Sequence, residues 1–82
     1  MIFLNKNILI LFIKSLNVNN SMFYLKYLGY DFSKDEIEKI LPYLKSNTDK
    51  LDKNNKNYLM DNLPPVSPYC KKQLSKLFDQ FI

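Results

Sequence analysis

At 82 residues with 46% apolar and 15% aromatic side chains, the chain is one domain at most, too hydrophobic for disorder and near the size where a single core barely suffices. The net charge of +4 is an excess of Lys over acids: all twelve basic residues are Lys, while His, Arg, Ala and Trp are absent. Without His or Arg the commonest general base and the best anion clamp are missing, and a lone Cys70 excludes a small secreted disulfide scaffold and points to a reducing, intracellular and cytoplasmic setting.

The N-terminal run from Met1 to Lys14 is apolar on nearly every side. Its uncharged core, Asn7 to Ile13, falls far short of the ~20 residues that span a bilayer, and no small-residue cleavage site follows it. A helix reaching Leu16 is expected, either buried centrally or leaving a surface for a partner. Asn17-Val18-Asn19-Asn20 breaks the pattern, and Asn19 or Asn20 is placed to cap a second helix through Leu28, with Met22, Leu25 and Leu28 on one side and Phe23 and Tyr24 beside them. Gly29, the only glycine, fits the left-handed position that ends a helix.

The strongest helix signals converge on Phe32 to Leu41. Ser33 reads as the N-cap, Glu36 completes a capping box, and Phe32 can staple onto Ile37. Asp35 and Glu36 suit the positive end of the helix dipole, and Ile37, Ile40, Leu41 and Leu44 repeat along one face. Pro42 removes a backbone donor and predicts a kink or an early end near Leu41. Ser46 to Asn57 is polar apart from Leu51 and reads as a loop. A short helix over 53–62, with Tyr58, Leu59 and Leu63 inward, is stopped by Pro64-Pro65. Ser67 caps the last helix, Pro68 occupies its first position, and Cys70, Leu74, Leu77, Phe78 and Phe81 form its apolar stripe. The expected fold is all-α, a compact bundle of four to five short helices.

No catalytic, metal or cofactor site emerges. Asp35, Glu36 and Glu38 are explained by the helix start, and Cys70 lies on an apolar face, where a thiol behaves as a small hydrophobe. Zinc lacks ligands. In the polar loop, twelve-residue calcium frames opening at Asn47, Asp49 or Asp52 end at Tyr58, Met60 or Leu63 rather than Glu, and none has glycine sixth. Two surfaces remain. One is a protein-docking surface on the apolar first helix or in the groove between the second and third helices, carried by Ile8, Leu9, Phe12, Ile13, Met22, Tyr24 and Leu25, for another protein or a second copy. The other is a basic surface of Lys50, Lys53, Lys56, Lys71, Lys72 and Lys76, a weak nucleic-acid footprint because Lys stands there without Arg. The helix pair around Gly29 makes a poor groove reader, since its second helix would turn Asp35, Glu36 and Glu38 toward phosphates.

Phe32-Ser33-Lys34-Asp35-Glu36 through Ile40, together with Ser67-Pro68, Leu77-Phe78 and Gln80-Phe81, resembles a small, uncharacterised all-helical family of low-G+C Gram-positive bacteria. The resemblance implies a helical fold and no activity. Leu28 to Ile37 also resembles the connector between paired EF-hands in calmodulin-like proteins. That likeness implies a degenerate hand that binds a partner helix without calcium.

Overall fold

The computed structural model describes residues 6–82; the part of the first predicted helix that falls on Met1 to Asn5 lies outside them. The described residues form five α-helices: α1 (Lys6–Ser15), α2 (Val18–Tyr27), α3 (Lys34–Ser46), α4 (Lys56–Asp61) and α5 (Pro68–Phe81). Between α3 and α4 the polar stretch is not irregular throughout but winds into two single 3₁₀ turns, Thr48–Lys50 and Lys53–Asn55. Leu51 between the turns is buried and pins the stretch to the core.

α3 is the central element. Ile37, Ile40, Leu41 and Leu44 are all buried, and α1 and α2 both pack on this helix. Pro42 neither ends it nor shortens it, since α3 continues to Ser46. One lost backbone bond is outweighed by burying Leu41 and Leu44 on either side of the proline, each contributing about 1.5–3 kcal/mol. Beyond the helix end, the Asn47 side chain donates to the Tyr43 carbonyl at 2.8 Å and satisfies one of the last exposed acceptors.

α2 begins two or three residues earlier than expected, because its cap is Asn17 rather than Asn19 or Asn20. The Asn20 amide donates to Asn17 Oδ1 at 2.9 Å, and the Asn17 amide donates back to Asn20 Oδ1 at 2.8 Å. The helix closes as expected. Gly29 adopts φ +89°, the Gly29 amide donates to the Lys26 carbonyl at 3.0 Å, and the Tyr30 amide donates to the Leu25 carbonyl at 2.8 Å.

α4 is shorter than predicted because its first residues form the second 3₁₀ turn, capped by Asp52, whose carboxylate accepts from the Asn55 amide at 3.1 Å. Leu59 is fully buried as expected, but Tyr58 is 46% exposed and not inward. Its neighbour in a six-residue helix takes the core position, and Tyr58 instead lies beneath the Lys50 ammonium, 5.4 Å from the ring centroid.

Longer links tie each element to its neighbours. Tyr43 donates to the Leu59 carbonyl at 2.8 Å and joins α3 to α4, Lys56 pairs with Asp79 and joins α4 to α5, and Tyr30 donates to Gln80 at 2.7 Å. Lys6 reaches the Asp49 carbonyl at 2.7 Å and the Asp52 carboxylate at 3.2 Å, anchoring the start of α1 on the 3₁₀ segment. The radius of gyration is 11.7 Å, in line with the about 12 Å of a compact chain this long.

The most consequential link joins two helix starts. Glu36 closes the capping box of α3, one oxygen accepting from the Ser33 amide at 3.4 Å and also from the Ser33 hydroxyl at 3.1 Å, while its other oxygen accepts from the Ser67 hydroxyl at 2.7 Å. Ser67 in turn accepts from the Cys70 amide at 3.1 Å as the cap of α5. The Ser67 hydroxyl, followed by the Ser33 amide and hydroxyl, holds the Glu36 carboxyl below its ordinary value of 4.5, against the opposing pull of partial burial. A carboxyl lowered by folding adds stability that is present above 4.5 and is lost as pH falls through the folded-state value. Glu36→Gln is therefore expected to be less stable than the parent at neutral pH, with the difference closing in acid. Urea midpoints across that range provide the measurement.

Candidate functional site

Above α3, the walls contributed by α1, α2 and α5 do not meet. They enclose an apolar cavity of about 330 Å³ with Ile37, Ile40, Leu41 and Leu44 as its floor. No polar atom is exposed to the interior. Engineered apolar cavities of ~150 Å³ accept benzene, and a lining of this kind is receptive to apolar groups. Tyr24 and Tyr27 line it and are themselves 39% and 83% exposed, so the cavity opens to solvent along α2.

The opening merges with an apolar outer surface. Phe12 of α1 meets Tyr24 of α2 with ring centroids 5.3 Å apart, and Tyr24 meets Phe23 edge-on at 5.7 Å. Ile8 lies one turn before Phe12, and Tyr27 lies one turn beyond Phe23, so an apolar strip crosses from one helix to the other. Leu11 is 68% exposed and Phe23 67% exposed.

The predicted docking residues divide between the wall and the outside. Leu9 is buried in the core and faces the cavity, while Phe12, Ile13, Tyr24 and Leu25 also line it. Met22 packs against the core without reaching the cavity, and Ile8 is exposed. The hollow sits on α3 between α1, α2 and α5, not in a groove between α2 and α3 alone. The most exposed residues, Leu11, Phe23 and Tyr27, were not picked out by periodicity. The i, i+4 pairing of Phe23 with Tyr27 was the available signal, hidden because α2 is apolar on more than one side.

The basic candidates are only partly available. Lys50 pairs with Asp49 at 3.2 Å and Lys56 pairs with Asp79. Lys53, Lys71, Lys72 and Lys76 are exposed, with Asp79 on the same helix as the last three. Among the described residues, no group of acids and Cys is arranged to hold a metal ion. The Asp52 carboxyl is held below its usual range chiefly by the Lys6 hydrogen bond.

Two buried polar groups test for chemistry. The Cys70 thiol is pushed up to about 12, first by burial and then by the negative charge and hydrogen bonding of Glu36, which removes its thiolate at neutral pH. Ser21 is buried in the cavity wall with its hydroxyl unpartnered. Neither is arranged as a nucleophile with a base beside it. No helix of the described residues is long and apolar enough to cross a membrane. No protein-family model, curated protein or solved structure matches the chain.

Cys70 is expected to resist iodoacetamide in the native protein and to react on unfolding in urea, followed by mass spectrometry. Removing the orphaned hydroxyl in Ser21→Ala relieves a desolvation cost of about 1 kcal/mol. That substitution should raise the denaturation midpoint.

Proposed function

We propose that this chain is a non-enzymatic protein-interaction module of the cytoplasm, receiving its partner on the apolar face of α1 and α2. The observation that carries the reading is the exposure of Phe23 and Tyr27 beside an open apolar cavity, Tyr27 lining it and Phe23 meeting the lining Tyr24 edge-on. Apolar surface gathered in one place, in a small chain that leaves it uncovered, marks an interaction site. Exposed aromatic side chains beside a pocket are the residue types that dominate binding energy at interfaces. The helix-binding behaviour that the calmodulin-like connector implies belongs to the same reading.

The absence of His and Arg, and a thiol raised to about 12, support a role without catalysis. The lone reduced cysteine supports the compartment. Nucleic-acid binding draws less support, because two of the six candidate lysines, Lys50 and Lys56, are already paired with carboxylates.

Affinity capture from the native cell, with the full chain as bait, compares the parent with Phe23→Ser/Tyr27→Ser. Both side chains are exposed, so Tm is expected to hold while partner retention falls by about tenfold or more, as for truncated interface aromatics. Undiminished capture by the double variant overturns this placement of the docking face.

A further inference from the structure

Beyond protein docking, we infer that the cavity is a binding site for a neutral, largely apolar small molecule bearing one hydroxyl or carbonyl, which the Ser21 hydroxyl holds. Ser21 is the only buried residue of α2, and it shares an inner face with Leu25 and Leu28, four and seven positions on, all three in the cavity wall. A core-side position of a helix ordinarily takes a larger apolar residue. Here a small side chain leaves the space open and sets a hydroxyl in its wall. Ser21 is 5% exposed, and its hydroxyl finds no hydrogen-bond partner among the described residues. Buried polar groups are paired in nearly every case, so an orphan of this kind points to a partner from outside the chain. Water is a poor partner: it needs roughly two to four polar neighbours, and no other polar atom faces this interior.

The rest of the wall sets the chemistry of the ligand. No lining side chain carries a charge, so an ionised head group inside would lose its water without a counter-ion, and the ligand is neutral. At about 330 Å³ the space is roughly twice the ~150 Å³ that admits one benzene ring, which sets a body of about twelve non-hydrogen atoms. Ser21 offers one donor and can also accept, so one hydroxyl or carbonyl is what this wall satisfies and a second polar group would stay unpaired. The Ser21 oxygen is itself covered, so the residue shows carbon to the cavity. Turning the hydroxyl inward about χ1 forfeits no hydrogen bond, because it holds none. Entry is along α2, where Tyr24 and Tyr27 border the opening. Phe23, on which the docking reading depends, is not part of the wall.

The test titrates naphthalene, naphthol and naphthoate, which share one ring system and differ in a single substituent, into the full-length chain at neutral pH, followed by ring fluorescence. Naphthol is expected to bind about three- to tenfold more tightly than naphthalene, the worth of one hydrogen bond. Naphthoate is expected to bind more weakly than naphthol. Ser21→Ala should bind naphthalene as the parent does, which shows that it is folded, and should lose the preference for naphthol. Proton–proton NOEs from the naphthol ring to the methyl groups of Ile40 and Leu44 are expected, because these side chains form the cavity floor. No saturable binding of either neutral ring overturns the site, as do NOEs confined to Phe23 and Tyr27. A naphthol preference that is missing in the parent, or that persists in Ser21→Ala, overturns the role of Ser21. Tighter binding of naphthoate than of naphthol overturns the neutral head group.

Discussion

Everything in this fold depends on covering one apolar stripe. Ile37, Ile40, Leu41 and Leu44 turn a single helix of modest length into the hub of the molecule, and burying each contributes about 1.5–3 kcal/mol. The remaining helices are short, from the six residues of α4 to the fourteen of α5, and helices of such length are marginal without tertiary packing. They persist because they cover α3 or one another. The same dependence explains how α3 carries Pro42 in its interior: a helix packed from several sides tolerates a defect that would break it in solution.

Apolar packing by itself leaves helices able to slide, and the polar links remove that freedom. The Glu36 carboxylate receives Ser33 from its own helix and Ser67 from α5, so the two best-formed helix starts are held at one point. Tyr43, Lys56 and Tyr30 repeat the device elsewhere, each reaching from one element to the next. Most of these groups are at the surface, so each is modest in energy and specific in direction. The placement of Glu36 also has a chemical consequence, because its charge beside the buried Cys70 makes the thiol harder to ionise.

A stripe covered by short helices need not be covered completely. α1, α2 and α5 stand around the floor made by α3 and leave a hollow. Close-packed interiors seldom tolerate voids beyond the size of a water molecule, so a space this large bordered by exposed aromatics is better understood as part of a surface than as an imperfect core. Acids are absent from α1 and α2 and are placed at the start of α3, in the 3₁₀ segment and toward the ends of α4 and α5, whereas lysines are spread over every element.

Local order was legible in the chain wherever a signal is short-range. Ser33 with Glu36, Ser67 with Pro68, Gly29 at positive φ, and the buried stripes of α3 and α5 all depend on residues within four positions of one another, and the structure contains each of them. The choice among Asn17, Asn19 and Asn20 was not legible, since only the reciprocal bond between Asn17 and Asn20 distinguishes them. Nor was the persistence of α3 through Pro42, or the outward turn of Tyr58, because both depend on which neighbours compete for the core. Of the residues that the sequence offered for docking, five line the cavity, Leu9, Phe12, Ile13, Tyr24 and Leu25. Tertiary structure alone decided that Ser67 would reach Glu36 across 31 residues, that Leu11, Phe23 and Tyr27 would remain outside, and that the wall would enclose a space. Periodicity identifies a face that must be buried, but whether enough chain arrives to bury it is a property of the assembled volume, which no local pattern contains.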